Sequence, residues 1–239
     1  MTSTLSLPFA SLPNGIPGTP VPFTLRIPGH DLYHLPHLAH IADIAAPSWY
    51  NTQADTTTGY LGITREWLLD ATSSWINDFD WRAHETYQNS FPNYRLNVTL
   101  PSDGEIFDLH FAALFSEKQD ATPIIFMHGW PGSWTEFAPM MDLLVEKYTP
   151  ETLPYHVIVP SIPHYGLSYR PNELDKEVNM TTASEALNQL MVDLGFGAYI
   201  AQGGDVGSFL ARTMCGTFDE CKAFHSMFSP LCFASCLVS

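Results

Sequence analysis

The stretch Gln202-Gly203-Gly204-Asp205-Val206-Gly207-Ser208 decides the fold, because it places an acid between glycines where an apolar strand gives way to a helix. Glycines two residues before and two residues after an exposed side chain are typical of a nucleophile elbow, where the sharp turn crowds the backbone. The helix that follows presents its free N–H groups and the positive end of its dipole to an anion. The stretch therefore predicts a nucleophilic carboxylate at Asp205.

A second loop, His128-Gly129-Trp130-Pro131-Gly132-Ser133, follows an earlier apolar strand. A carboxylate nucleophile forms an ester that must be cleaved at its carbonyl, so an oxyanion hole is required. In a fold with a nucleophile elbow, one donor is the amide after the nucleophile and the other lies in the loop after the third strand. We therefore expect the amides of Trp130 and Val206 to form the hole, and His128 to have a structural, hydrogen-bonding role.

The rest of the chain alternates between strand-like and helix-like patterns. Apolar or alternating runs occur at 95–100, 106–111, 123–129, 155–160, 198–204 and 221–228, and helical spacing occurs at 134–144, 182–194 and 206–215. The first two runs flank a turn-rich segment and predict a hairpin. The later alternation predicts an α/β fold with a mostly parallel sheet flanked by helices.

The amino-terminal part has a different character. Residues 1–22 are rich in Pro, Gly, Ser and Thr and predict a flexible arm. Residues 23–93 predict a few short helices, with Pro36 interrupting one and Thr64 capping another. These helices have little core of their own, so we expect them to pack on residues 94–239, which form the α/β part.

Composition excludes some functions. The net charge is −15 with ten scattered Lys and Arg residues, which argues against a nucleic-acid partner. No apolar run approaches the length of about 20 residues that spans a bilayer, and no signal peptide is recognisable, so we expect a cytoplasmic protein. The four cysteines, Cys215, Cys221, Cys232 and Cys236, lack metal-ligand spacing, and a reduced compartment is the simpler interpretation.

The two loops together resemble the signature motifs of microsomal-type epoxide hydrolases. The resemblance extends to Phe79-Asp80-Trp81-Arg82 and to the segment 160–168, and about residues 22–230 follow the family's order of elements. It implies an α/β-hydrolase fold with an amino-terminal helical arm and no cofactor or metal. It also implies that Asp205 opens a small apolar epoxide and forms an ester that is hydrolysed to a vicinal diol. The motif positions that carry the resemblance are His128, Gly129, Pro131, Gly203, Gly204 and Gly207.

The chain departs from the family pattern at several places. Val206 stands where many relatives carry Trp, the residue with which haloalkane dehalogenases hold halide, so epoxide chemistry is favoured. His164 stands where the family usually has Gly. The family also places a cap domain with two tyrosines, a late acid and a final His after the strand at 221–228. No residue up to Ser239 matches these groups, so we expect the final strands and the cap to be missing and this form to be incomplete or inactive.

Two other functions stay open at this point. The first is a non-catalytic remnant whose preserved core binds a small molecule or a partner protein. The second is a serine esterase that uses Ser208, although Ser208 lies three residues past the elbow position. A homo-oligomer is compatible with either function.

Overall fold

The computed structural model describes residues 7–53, 62–169 and 177–227, and the chain divides into two compact units. One unit, here called the α/β unit, comprises Met1–Thr24 and Gln88–Ser239. The other, here called the helical unit, comprises Leu25–Tyr87. The helical unit is therefore inserted in the sequence of the α/β unit, and the predicted boundaries at 22 and 93 differ from these by a few residues.

The helical unit consists of short helices, as the sequence predicts. They are α1 (Gly29–Ile41), α2 (Trp49–Thr52), α3 (Arg65–Asn77) and α4 (Trp81–Gln88). The side chain of Thr64 caps α3 by accepting a hydrogen bond of 3.1 Å from the amide of Trp67. The predicted interruption at Pro36 is wrong, since α1 continues through it. A proline inside a helix removes one backbone hydrogen bond, and α1 packs against α3.

Within the described residues, the α/β unit contains a seven-stranded sheet in the order β1-β2-β3-β5-β4-β6-β7. The strands are β1 (Val21–Pro22), β2 (Asn93–Thr99), β3 (Ile106–Leu114), β4 (Thr122–Met127), β5 (Tyr155–Pro160), β6 (Tyr199–Gly203) and β7 (Cys221–Ser226). The neighbours from β1 to β5 pair antiparallel, and those from β5 to β7 pair in parallel. The predicted hairpin is confirmed, while the sheet is mixed rather than mostly parallel because its first half is antiparallel.

Helices alternate with the strands in the parallel half of the sheet. A 3-10 turn (Trp134–Phe137) leads into α5 (Ala138–Lys147), and α6 (Met180–Asp193) and α7 (Val206–Thr217) follow later. No helix among the described residues is both long enough and apolar enough to cross a membrane.

The sheet separates two buried clusters, because successive side chains of a strand point to opposite faces. On β3, Phe107, Leu109 and Phe111 belong to the cluster that includes residues of α6 and α7. Ala112 and Leu114 of the same strand belong to the cluster that includes Trp134 and Met141. Both faces of the sheet are therefore buried, which holds the strand ends in fixed positions.

The predicted flexible arm does not hold for residues 7–22. Phe9 is 3% exposed and lies in the second cluster, and its carbonyl accepts a 3.0 Å hydrogen bond from the amide of Phe115. The amide of Gly18 donates to the carbonyl of Asp193 at 2.8 Å, and β1 pairs with β2. These long-range contacts order a segment whose composition alone predicts a loop. Residues 1–6 lie outside the described residues.

One cysteine pair differs from the expectation of reduced thiols. A disulfide joins Cys215 near the end of α7 to Cys221 at the start of β7, where the two Cα atoms lie 4.7 Å apart. The short connection between the two elements brings these side chains together, which the spacing in sequence did not reveal. Cys232 and Cys236 lie outside the described residues.

Candidate active site

Asp205 lies on the sharp turn between β6 and α7, where the sequence predicts a nucleophile elbow. Its φ of 47° and ψ of −120° fall in a region that non-glycine residues rarely adopt. A Cβ atom at Gly203 would overlap the carbonyl oxygen of Gly207, and one at Gly207 would overlap the carbonyl oxygen of Met127. The two glycines are therefore required by close backbone approach, and the turn leaves the Asp205 side chain exposed.

The carboxylate of Asp205 meets the two predicted amide donors. The amide of Trp130 donates to Oδ1 of Asp205 at 2.9 Å. Hydrogen bonds from the amides of Trp130 and Val206 hold the pKa of Asp205 below its usual value, against a smaller opposing effect of desolvation. The residues predicted to form the oxyanion hole thus lie beside the predicted nucleophile. Their catalytic roles stay predictions.

The loop after β4 approaches the elbow closely. A Cβ atom at Gly129 would lie 2.6 Å from Cβ of Asp205 and 2.9 Å from its Oδ1, so a larger residue would push the nucleophile away. The carbonyl of His128 accepts a 3.0 Å hydrogen bond from the amide of Gly207. The peptide between Trp130 and Pro131 is cis. These contacts join the loop to the first turn of α7.

The His128 side chain is buried, with 1% of its surface exposed, and both of its ring nitrogens form hydrogen bonds. Nδ1 lies 3.0 Å from the carbonyl oxygen of Gly129, and Nε2 accepts a 3.1 Å hydrogen bond from the amide of Ile162. A carbonyl oxygen can only accept, so Nδ1 carries the proton and the ring is neutral. Burial lowers the pKa of His128, while its bond to Gly129 and the charge of Glu136 act in the opposite direction. This arrangement fits the predicted structural role.

An open cavity of about 530 Å³ surrounds the Asp205 carboxylate. Its walls are formed by the two loops and by one residue after β7; they are Gly129, Trp130, Pro131, Gly132, Glu136, Gly204, Asp205 and Met227. A larger cavity, of about 620 Å³, is lined by Pro17, Arg95 and Asp193 among others, and does not include the nucleophile. We therefore place the candidate site at the smaller cavity.

The sequence interpretation missed Glu136 and Met227. Met227 follows β7, and the carboxyl ends of neighbouring parallel strands meet at one edge of the sheet, which could have indicated it. Glu136 lies four residues after Gly132, in the turn that follows the loop. An acidic residue so close to the loop is the one sequence signal that could have indicated its place at the cavity.

Two further residues singled out in the sequence lie elsewhere. Ser208 is 2% exposed, and its hydroxyl donates a 3.0 Å hydrogen bond to the carbonyl of Gly203 within the first turn of α7. This position does not favour the esterase alternative. His164 has a φ of 67° and is exposed in the loop after β5, where its backbone conformation explains why glycine would suit the position.

Two residues of the motif Phe79-Asp80-Trp81-Arg82 bind a buried carboxylate in the helical unit. Glu85 is 3% exposed and accepts hydrogen bonds from the amide of Ile27 at 2.7 Å and from Nε1 of Trp81 at 2.8 Å. Nη1 of Arg82 donates to both of its oxygens, at 2.7 and 2.6 Å. Burial raises the pKa of Glu85, but the bonds from Arg82, Ile27 and Trp81 outweigh it and lower the pKa to about 2. The motif therefore has a structural role in this unit.

Comparison with known families gives two overlapping matches. Residues 20–137 match the family model described as epoxide hydrolase N terminus, and residues 122–235 match the model described as alpha/beta hydrolase fold. The first match contains the helical unit and the loop after β4, and the second contains the elbow.

Individual relatives agree with these matches. The chain is 43% identical over 217 residues to a Dothistroma septosporum protein named "Putative epoxide hydrolase", a match that covers 91% of this chain and 51% of the relative. It is 32% identical over 162 residues to "Epoxide hydrolase 1" of Sus scrofa, covering 65% of this chain and 34% of that protein. The solved structure of an Aspergillus niger epoxide hydrolase superposes with a TM-score of 0.82 at 45% identity, covering 93% of this chain and 55% of that one.

The chain thus spans about half the length of the first relatives it matches. The matched half contains the elbow and the loop after β4, which lie together in the fold described above. The chain belongs to the epoxide hydrolase family of the α/β-hydrolase fold.

Proposed function

We propose that the protein hydrolyses an epoxide to a vicinal diol through an ester of Asp205. The observation that carries the proposal is the position of Asp205 on the elbow with Oδ1 bound to the amide of Trp130 at 2.9 Å. A carboxylate in this position is ionised, because its pKa is lowered by the amides of Trp130 and Val206. An ionised carboxylate is the nucleophile that epoxide opening requires.

The first step forms the ester. Oδ2 of Asp205 attacks an epoxide carbon, the strained C–O bond breaks, and the released oxygen takes a proton. The resemblance implies that a pair of tyrosines in the family's cap domain supplies that proton. Oδ1, which already lies at the amide of Trp130, becomes the carbonyl oxygen of the ester.

The second step cleaves the ester. Water adds to Cγ of Asp205, the carbonyl oxygen becomes an oxyanion beside the amides of Trp130 and Val206, and the diol leaves. In the family a His–acid pair activates this water, according to the resemblance.

The cavity supports a small apolar epoxide as substrate. Trp130, Pro131 and Met227 give it apolar walls, and Trp130 and Met227 are 70% and 77% exposed. Exposed apolar side chains beside a nucleophile favour an apolar ligand. The net charge of −15 supports the absence of a nucleic-acid partner. A homo-oligomer and a cytoplasmic location stay proposals.

Incubation with an aryl epoxide followed by intact-mass spectrometry tests the function. We expect a mass increase equal to one epoxide, mapped to Asp205 by peptide analysis, and slow release of diol. The variant Asp205→Ala should show neither. Diol formation that persists in Asp205→Ala, or an adduct on another residue, would contradict the proposal.

A further inference from the structure

Histidines are concentrated in the first helix of the helical unit. Four of the ten histidines of the chain lie between residues 30 and 40, at His30, His34, His37 and His40. All four belong to α1 and are exposed. We propose that His30 and His34 bind a divalent transition metal ion at the surface of α1. The proposal is independent of the function of Asp205, because Asp205 belongs to the α/β unit.

Packing of α1 determines which of its faces is exposed. Leu32 and Leu35 are half-buried, and they line a cavity together with Trp75 of α3, against which α1 packs. On a helix with about 3.6 residues per turn, His30 and His34 point about 40° from each other and away from the face that carries the two leucines. The two imidazoles therefore share the exposed face of an anchored helix.

The spacing of His30 and His34 suits one shared metal ion. Because α1 runs from Gly29 to Ile41, both residues lie inside the helix. Residues four apart in an α-helix have Cβ atoms about 5–6 Å apart. Two nitrogens that bind one ion at about 2.1 Å each lie at most about 4 Å from one another, a separation that two imidazoles at this spacing can reach. The same spacing supplies two zinc ligands from the helix of H-E-x-x-H metalloproteases.

Asp31 favours a cation at His30. Nε2 of His30 lies 3.0 Å from Oδ1 of Asp31, and both side chains are more than half exposed. A carboxylate beside one ring nitrogen favours the proton on that nitrogen, which leaves the lone pair of Nδ1 for a metal ion. Asp31 also lies in the first turn of α1, where its charge offsets the positive end of the helix dipole that opposes a cation.

His34 also has a nitrogen available for a metal ion. Among the residues that the structure describes, no hydrogen bond or ion pair engages its ring, which lies 6.1 Å from the ring of Tyr33 in an edge arrangement. A neutral imidazole binds metal ions through either ring nitrogen. His34 can therefore act as a ligand without breaking a hydrogen bond.

The two ligands determine the class of ion. Imidazole suits Ni²⁺, Cu²⁺ and Zn²⁺, whereas Mg²⁺ and Ca²⁺ prefer oxygen ligands. In the described parts of the chain, no group of three or more His, Cys, Asp or Glu side chains could hold a metal ion. The site therefore has two protein ligands, with water in the remaining positions. The ion joins consecutive turns of α1 and stabilises the folded helical unit, because an unfolded chain does not keep the two imidazoles at this spacing.

Calorimetric titration of the chain with Ni²⁺ tests the site. We expect the tightest binding event to involve one Ni²⁺ per chain. Loss of a partner of a metal ligand costs about 10–100-fold in affinity, so Asp31→Asn should weaken this event about tenfold, and His30→Ala and His34→Ala should weaken it by more. His40→Ala is the matched control, because it removes an exposed histidine from the same helix. Its affinity should stay within about twofold of that of the unsubstituted chain.

Thermal unfolding separates metal binding from a change in helix stability. At free Ni²⁺ about ten times the Kd, the melting temperature of the unsubstituted chain and of His40→Ala should rise by about 3–6 °C. It should not rise in His30→Ala or His34→Ala, although both variants should fold without metal because alanine favours a helix.

Several results would overturn the site. They are an absence of Ni²⁺ binding, an equal rise in melting temperature in all the variants, and binding of Mg²⁺ as tight as that of Ni²⁺. Loss of binding in His37→Ala together with unchanged binding in His30→Ala would assign the ion to His34 and His37 and would also overturn the proposed pair. Each of these results leaves the proposed function of Asp205 standing.

Discussion

The amide of Trp130 donates a 2.9 Å hydrogen bond to Oδ1 of Asp205, although 75 residues separate them in the sequence. The bond forms because β4 and β6 are parallel neighbours, with Met127 opposite Gly203, so the loops that follow them meet at the same sheet edge. The two carboxylate oxygens are therefore not equivalent, since Oδ1 is bound to the loop after β4.

The first prediction concerns the ionisation of Asp205. The amides of Trp130 and Val206 stabilise the charged form, so the pKa of Asp205 lies below its ordinary value of 3.8. A pH titration followed by carboxyl carbon NMR measures this pKa, and the Asp205 signal is assigned by its loss in Asp205→Asn. The midpoint of the Asp205 titration should lie below pH 3.8. A midpoint above it would mean that the two amides do not reach the carboxylate in solution.

The second prediction concerns the elbow glycines. Gly203→Ala places a methyl group against the backbone of Gly207, which we expect to cost about 1–3 kcal/mol in the free energy of unfolding. Gly216→Ala is the matched control in α7, because a Cβ atom there meets nothing within 4 Å. Alanine is the better helix former, so the control should gain up to about 1 kcal/mol. Denaturant unfolding measures the stabilities of the two variants. Equal stabilities of Gly203→Ala and Gly216→Ala would contradict the close approach of Gly203 to the backbone of Gly207.

The third prediction concerns acid sensitivity through Glu85. The pKa of Glu85 in the folded protein, about 2, is lower than the ordinary value of 4.5, so the ionised form of Glu85 favours the folded state. This contribution is complete above about pH 4.5 and is lost as the pH falls towards 2. Melting temperatures measured across that window should fall less steeply in Glu85→Gln, which should also be less stable at pH 7. If the melting temperatures of Glu85→Gln and the unsubstituted chain fell equally steeply with pH, the buried hydrogen bonds from Arg82 and Trp81 to Glu85 would be contradicted.

The fourth prediction concerns His110, which is fully buried in β3. Its Nδ1 lies 3.0 Å from Oγ of Ser161 and its Nε2 lies 2.9 Å from Oδ1 of Asn93. Burial, with a contribution from the charge of Arg95, lowers the pKa of His110 to about 3. The neutral ring favours the folded state, so its contribution is complete above about pH 6.5 and is lost as the pH falls towards 3.

His110→Gln tests this effect. The variant should lose about 1–3 kcal/mol at pH 7, because buried polar partners are left unsatisfied. Its stability should then depend less on pH between 6.5 and 3 than that of the unsubstituted chain. A slope as steep as that of the unsubstituted chain would show that another group titrates in this window.

The fifth prediction concerns the extent of the α/β unit. Residues 94–239 alone lack the buried Phe9, β1 and Asn93, so we expect an insoluble product or one without a cooperative melt. A protein in which a Gly/Ser linker replaces residues 25–87 keeps these groups and should melt cooperatively. A cooperative melt of residues 94–239 would show that the first 24 residues are dispensable. Whether residues 23–93 pack on the α/β unit stays a prediction.

Local patterns in the sequence predicted those parts of the fold whose causes are local. Alternation gave the hairpin of β2 and β3, dense apolar runs gave β4 and β5, and glycine spacing located the turn at Asp205. Each of these signals arises from the side chains of the element itself. The same is true of the Thr64 cap, which depends on residues three positions apart.

The missed features depend on partners far away in the chain. Val21 and Pro22 are too few to show an alternating pattern, and they form a strand because Arg95 and Tyr94 lie opposite them. The cavity position of Glu136 depends on where an anchored turn directs its side chain, which no spacing rule indicates. Composition predicted a flexible arm because residues 1–22 are rich in Pro, Gly, Ser and Thr, whereas in space Phe9 joins Trp134.

The division of the α/β unit by an inserted unit has a consequence for synthesis on the ribosome. Residues 1–24 emerge first, but β2 and Asp193, which bind them, emerge only after all of residues 25–87. Domains generally fold as units while the chain is being made, so the helical unit has the opportunity to fold before the segment that precedes it does. Strand β1 can therefore pair only after β2 has emerged, and Phe9 gains its neighbour Trp134 only when the chain has been made past residue 134.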